Sequence, residues 1–429
     1  MGPAAVTIES LPVELFSAIL TNIPSYVDDK RDLRSCSLVS RAFRHFALPL
    51  LFASITVIIC RTDLPAPAWM AEVGLDHVLD FIRRMPHLAA HVRALRLTTM
   101  RPIYPQSDWF APYIAVSLDP DALTTCLLGF PALRTFHTVG IAVLHPPSPG
   151  FAGIGPRQMD QVLINVRLHP SAQAAYQRAG YAGVDEPMDV SPLLAVFRGT
   201  SIRELRLSGP IDFQLFFDTE KNLALQKLNI TTLDLSHPRI RIDSDIPVLP
   251  AVSTLRTLQL GLDSLGEFEA IGAIAPQLFP ELTHLVCRAA VMAYNFSPLP
   301  PPPDFSELPS LSRITLRDIV VDGDSITKVA VMLRHFAAPH ARAPLRAVHL
   351  DLVSGYVYSA REPAQVALAV NELEAVLLLL HARRRLEDVS FSLDVSAWAD
   401  TGKAAKFESE LFAKLKKDGV RVVKTTAGQ

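Results

Sequence analysis

The chain has 429 residues, 49% of them hydrophobic and 20% charged, with a formal net charge of −2. Such a composition supports a sizeable core, and the length suits two or three ordinary domains or one elongated repeat body with an appendage. Lys and Arg are scattered along the chain, so neither a nucleic-acid backbone nor an anionic membrane surface is an expected partner.

Cys36, Cys60, Cys126 and Cys287 stand far apart with no Cys-x-x-Cys pair. This pattern reads as reduced, mostly buried thiols, not a disulfide scaffold or zinc site. The opening MGPAAVTIESLPVELF has no basic segment ahead of an apolar run and does not read as a signal peptide. Apolar stretches such as Ala375 to Leu380 fall short of the ~20 residues that cross a bilayer. The expected location is therefore cytoplasm or nucleus, and the Asn-x-Ser/Thr matches at Asn229 and Asn295 read as chance.

In chain order, Pro12 suits a first helical turn, where its missing N–H costs nothing. Leu15 and Ile19, with Phe16 and Leu20, then make an apolar stripe that Pro24 ends. Asp32 opens a second helix, on which Leu33, Cys36, Val39 and Phe43 follow at helical steps. Pro49 reads as a further break, with Leu50, Leu51 and Phe52 beyond it. A unit of ~40 residues with this much apolar surface cannot bury it alone. It packs on the rest of the chain or meets a partner.

These residues resemble an F-box. The order is Leu-Pro-x-Glu-Leu from Leu11, Ile19-Leu20, Pro24, Asp32-Leu33, then Leu-Val-Ser-Arg-x-Phe-Arg from Leu38. Leu51, Phe52 and Ile55 continue as in fungal, basidiomycete-type F-box proteins. The resemblance covers residues 9–55. It implies a three-helix hook that docks on the Skp1 subunit of a cullin-RING ubiquitin ligase. Carried over by position, Leu11 and Pro12 form the leading contact, and Leu15, Ile19, Leu33, Val39 and Phe43 supply the anchors. Phe43 stands where the family often has Trp, and the link SYVDDKR between helices is long.

Residues 56–429 read as a repeat body. The pattern apolar-x-x-apolar-x-apolar begins at Val92, Leu133, Leu163, Ile202, Ile230, Leu255, Leu282, Leu311, Leu345 and Leu386. From Ile202 onward the starts differ by 28, 25, 27, 29, 34 and 41 residues. Alternation at its end predicts a short strand with one buried face. Helical stretches lie between, at Leu75 to Arg84, Ile326 to Phe336 and Glu372 to His381. A strand and a helix per period stack as a solenoid; a two-layer α/β domain with a mostly parallel sheet would show the same alternation.

The strand segments resemble leucine-rich repeats, of the irregular kind announced by Phe-Pro-x-Leu, here Phe130 to Leu133 and Phe279 to Leu282. The Asn that follows the strand in regular repeats is missing, with Pro210, Pro238 and Asp263 in its place. The expected fold class is thus α/β, an N-terminal three-helix F-box followed by an irregular leucine-rich-repeat-like solenoid. Pro-, Gly- and Ala-rich stretches at 145–157, 169–190 and 297–305 read as loop insertions. An amphipathic helix from Lys403 to Lys417, with Phe407, Leu411 and Leu415, and a strand from Val420 to Val423 read as a C-terminal cap.

Residues between the buried strand positions point to the opposite face. They are Arg96, Arg206, Asp234, Gln259, Arg313, Thr315, Arg317, His349 and Ser390, a polar set rich in arginine, which protein interfaces favour. No Gly-x-Ser-x-Gly, His-Glu-x-x-His or Walker-type loop occurs. The histidines are scattered, and Arg383 to Arg385 end a helix, where cations complement its dipole. No catalytic residue, metal or cofactor is expected.

The resemblance therefore implies a non-catalytic adaptor: the F-box holds Skp1, the repeats hold a protein substrate, and ubiquitin transfer follows from proximity. The alternative is an F-box and repeat scaffold not coupled to a ligase. A third reading, an enzyme with a dispersed active site, needs a closed pocket with converging titratable groups.

Overall fold

The computed structural model describes residues 30–59, 75–99, 116–142, 152–166, 190–210, 228–239, 252–261, 275–288, 304–353, 363–384, 386–394 and 412–425. The chain divides into two compact units, Met1–Val184 with Ala195–Thr200, and Asp185–Leu194 with Ser201–Gln429.

In the first unit, α1 (Arg31–Val39) and α2 (Arg41–Phe52) lead directly into β1 (Ser54–Ile59). Then come α3 (Leu75–Arg84), α4 (Pro86–Ala89), β2 (Ala94–Thr99), β3 (Val116–Ser117), α5 (Pro120–Leu128), β4 (Thr135–Val139), β5 (Ile141–Ala142) and β6 (Gln158–Asn165). Strands β1, β2, β4 and β6 lie side by side in that order, all parallel, and β3 pairs with β5. The register stacks Val57, Leu97, Thr138 and Ile164 in one buried row.

Local chemistry fixes the helices. Asp119 caps α5 by accepting from Ala122 N at 3.0 Å, and Pro120 occupies the first turn. Gly129 closes α5, and a Cβ there would stand 2.7 Å from Ile82 of α3, so only glycine lets the two helices approach this closely. Phe52 at the end of α2 stacks on Phe81 of α3, ring centroids 6.1 Å apart.

Helix α6 (Ser191–Ala195) follows β6 in the chain. The second unit then carries β7 (Ser201–Pro210), β8 (Asn229–Arg239), β9 (Thr257–Leu260), β10 (His284–Arg288), β11 (Arg313–Val320), α7 (Gly323–Phe336), β12 (Ala347–Val353), α8 (Pro363–Arg384), β13 (Asp388–Asp394), α9 (Ala413–Lys417) and β14 (Arg421–Lys424). Strands β7 to β14 are parallel neighbours in chain order. Leu205, Leu233, Leu258, Leu285, Ile314, Val348 and Val389 form one buried row across them.

Alternation is clean in β12, where Val348, Leu350 and Leu352 are buried and the residues between them are not, while β10 and β11 each bury three successive residues. Among the described residues one sheet face is thus apolar and buried; the other is more exposed, with Asp234, Val286 and Thr315 among the buried exceptions. Doubly covered parallel sheets instead read as near-continuous apolar runs.

Helices α7 and α8 bury Ile326, Val329, Leu333, Phe336, Leu373, Leu377 and Leu380. Asp322 caps α7, accepting from Ser325 N at 2.6 Å. Buried Glu374 of α8 accepts from Lys414 N at 2.7 Å and Leu415 N at 3.2 Å, anchoring the first turn of α9. Phe412, just before α9, meets Phe391 of β13 edge-on at 5.7 Å.

One device recurs. Before several strands the chain makes a tight turn closed by a backbone bond: Leu133 N to Phe130 O (3.1 Å), Leu255 N to Val252 O (3.4 Å), Leu282 N to Phe279 O (3.0 Å) and Leu311 N to Leu308 O (3.3 Å). At strand starts, one carbonyl accepts from two successive amides of the next strand: Arg93 O from Arg134 and Thr135, Thr283 O from Ser312 and Arg313, Arg346 O from Glu387 and Asp388. Backbone groups that would end the ladder unpaired are thereby satisfied.

Several expectations are corrected. The strand frame expected at Leu163 starts at Met159, because Met159, Val162 and Ile164 are buried while Leu163 is only partly so. Phe52, Ile55 and Val57 carry the same six-residue pattern at β1, and Ile55 and Val57 pair with Leu95 and Leu97 of the next segment. Helix α2 runs through Pro49 instead of breaking there; the helix ends one turn later, so little hydrogen bonding is lost.

Helix α8, 22 residues against the shorter stretch read from sequence, is long and apolar enough to cross a bilayer by length and composition alone. Here α8 is packed, with Leu373, Val376, Leu377 and Leu380 buried. Phe305, read as the end of a loop insertion, is fully buried. Residues 145–151, 169–189, 297–303 and 403–411, parts of the predicted loops and cap helix, lie outside the described residues.

Candidate functional site

Two surfaces collect the candidate residues. The first is the helical segment ahead of β1. Ser40 separates α1 from α2 and caps α2, its hydroxyl accepting from Phe43 N at 3.3 Å. Lys30 crosses to the far end of α2, its Nζ donating to Ser54 O at 2.7 Å and also to Leu51 O. A cation at a helix C-terminus is favoured by the exposed carbonyls. Burial, and then Arg34, lowers the Lys30 pKa.

Leu33, Phe43 and Ala47 form the interior of this segment, with Cys36, Phe46, Leu50 and Leu51 packed around them. Leu33 and Phe43, expected as anchors for a partner, therefore face the chain's own core. Val39 does not: it is 66% exposed, and its neighbour Leu38 is 86% exposed. Leu38 was absent from the candidates read from sequence, although it opens the Leu-Val-Ser-Arg stretch. Leu11, Pro12, Leu15 and Ile19 lie outside the described residues.

The second surface is the open sheet face. In the second unit, Arg206, Asp234, Gln259, Val286, Thr315, His349, Ser390 and Val423 align in one row, each the register partner of the next. All the predicted outward residues of this unit except Arg313 and Arg317 fall on that row; these two flank Thr315 on β11, two residues before and after it, at the same face. Arg96 lies in the first unit, beside Thr56 and His137 on neighbouring strands.

Exposure differs along the row. Asp234 is only 2% exposed because Arg206 covers it, Nε to carboxylate 2.7 Å. Thr315 is also buried, its hydroxyl 2.9 Å from His284 Nε2. His349 Nδ1 meets Ser390 Oγ at 2.8 Å, and Asp351 accepts from Ser392. Arg313 and Arg317 are exposed.

A half-open groove of about 380 Å³ lies over β11 to β14, lined by Arg313, Thr315, His349, Asp388, Ser390 and Arg421. Burial, then the positive charge of Arg313 and Arg317, lowers the pKa of His284 to about 4. His349 is lowered too, by burial first, with Asp351 opposing and the two arginines assisting. Both rings are neutral at pH 7. Asp318, in the left-handed region at φ 57°, sits in a bulge of β11 and pairs with Arg288 at 2.8 Å.

Residues 8–57 match the F-box-like family model, so the match ends inside β1. No curated protein matches the chain. The chain carries an F-box-like domain, which in general terms points to an adaptor with a Skp1-like partner.

Proposed function

We propose that the chain is a substrate-recognition adaptor of a Skp1-cullin-F-box ubiquitin ligase. Residues 9–55 dock Skp1, and residues 56–429, an irregular leucine-rich-repeat-like solenoid, bind a protein substrate. The observation that carries the reading is the F-box-like match together with Leu38 and Val39, apolar and exposed beside a filled interior. Exposed apolar neighbours on a short helix favour an interface.

The body supports the second half of the reading. Within each unit the main strands are parallel and in chain order, several are preceded by a similar turn, and the residues of the opposite face are mostly polar. Stacked units of this kind offer extended binding surfaces. Ubiquitin transfer would follow from raised effective concentration of substrate lysines at a separate E2. The chain then needs no active-site residue of its own.

The test is co-purification of the full chain with Skp1, wild type beside Leu11→Ala, Pro12→Ala. Capture that the variant loses supports the adaptor. No capture by a folded wild-type chain removes it and leaves a scaffold.

A further inference from the structure

We propose that the open face of β10 to β13 binds an acidic peptide segment of a partner protein, with Arg313 and Arg317 as its charge contacts and Thr315, His349 and Ser390 as its floor. This rests on the reading of the sheet face as the substrate side and names the chemistry of what it holds.

The arginines on this part of the sheet fall into two groups. Arg206 pairs with Asp234 at 2.7 Å, Arg288 with Asp318 at 2.8 Å and Arg421 with Asp388 at 3.6 Å. Arg313 and Arg317 are exposed and have no ion-pair or side-chain hydrogen-bond partner among the described residues. They stand at two alternate positions either side of Thr315 on one strand, so all three side chains leave the same face.

Between them the polar floor is already paired within itself, His284 with Thr315 and His349 with Ser390. The floor fixes positions without adding charge, because burial and the arginines keep both imidazoles neutral at pH 7. The uncompensated positive charge is that of two guanidinium groups: Arg313 lines the half-open groove of about 380 Å³, and Arg317 continues the same face of β11 past Thr315. Guanidinium forks match carboxylates in geometry and charge.

A peptide fits better than a nucleic acid. Asp351 and Asp388 interrupt the positive field and would oppose a continuous phosphate backbone. Among the described residues no Phe, Tyr or Trp lines the groove to stack bases. A peptide can place carboxylates only where the arginines are.

The experiment is fluorescence anisotropy on the full chain with three labelled probes. They are a short peptide of alternating Glu, the same peptide with Gln in place of Glu, and a single-stranded oligonucleotide of similar length. The wild type is expected to bind the Glu peptide at least about tenfold more tightly than the Gln peptide, with added salt weakening it. Arg313→Gln, Arg317→Gln should remove that preference, and Arg256→Gln, on another part of the sheet edge, should leave it intact. All three substitutions are at exposed positions, and melting curves verify the fold.

Equal binding of the two peptides, an unaltered preference in the double variant, or tighter binding of the oligonucleotide would overturn the proposal. Skp1 capture is scored on the same preparation. Capture without a Glu preference sinks the groove assignment alone; a Glu preference without capture supports the groove and sinks the adaptor.

Discussion

The helical segment before β1 and the sheet of the second unit dispose of apolar side chains differently. Helices α1 and α2 bury Leu33, Phe43 and Ala47 yet leave Leu38 and Val39 in solvent. Strand β12 buries Val348, Leu350 and Leu352 and presents Ala347, His349 and Asp351 between them. A two-residue period separates the two faces of a strand such as β12, whereas a short helix pair has more than one apolar side and too little partner surface. On the helices two neighbouring exposed residues, Leu38 and Val39, are apolar, whereas on β12 the residues left between the buried ones include His349 and Asp351.

The sharpest break of that comparison is a pair of truncations. Leu350→Ala should cost about 3 kcal/mol through lost burial and a cavity, whereas Leu38→Ala should change stability by less than about 0.5 kcal/mol. Urea titration of both variants measures the difference. Similar losses would mean that Leu38 is buried in solution.

Next in size is Glu374→Ala, which strips the partner from two amides at the start of α9. Each amide left unsatisfied costs about 1–3 kcal/mol. Amide exchange at Lys414 and Leu415 should accelerate while exchange in β12 stays slow. Unchanged exchange at α9 would remove Glu374 as its anchor.

A further effect is a pH dependence. The folded His284 pKa of about 4 lies below the ordinary 6.5. Between those values the unfolded chain binds more protons, so His284 costs no stability above about pH 6.5, and stability falls as pH drops toward 4. The urea midpoint should therefore fall less on acidification in His284→Gln than in the wild type. An identical fall in both would assign the acid sensitivity elsewhere; His349, lowered in the same direction, is the next candidate.

Much of the fold was legible because the six-residue pattern is a burial rule, not a motif to be matched. At Ile202, Leu255, Leu311 and Leu345 the three apolar positions are the buried ones. The miss at Leu163 has a physical cause. Leu163, Val166 and Leu168 satisfy the same template as Met159, Val162 and Ile164, and only pairing with Phe136 of β4 selects between the frames. β1 escaped because its pattern overlaps the Leu-Phe-x-x-Ile stretch credited to the helical segment.

The candidate site was legible as a row but not as chemistry. Alternation alone put Arg206, Gln259, His349 and Ser390 on one face, which the register keeps together. It could not foresee that Arg206 would cover Asp234, or that Arg313 and Arg317 would stay unpaired, because side-chain pairing depends on neighbouring strands far away in sequence. Leu38 was likewise invisible, since helical spacing from Leu33 and Val39 does not say which side of α1 the chain itself covers.

The most direct test of the account is calorimetric titration of Skp1 into the full chain and into a Leu38→Asp, Val39→Asp variant. The account predicts saturable binding by the wild type, a loss of at least about 100-fold in the variant and closely similar melting temperatures. Equal affinity in both proteins, or no binding by a folded wild type, would contradict it.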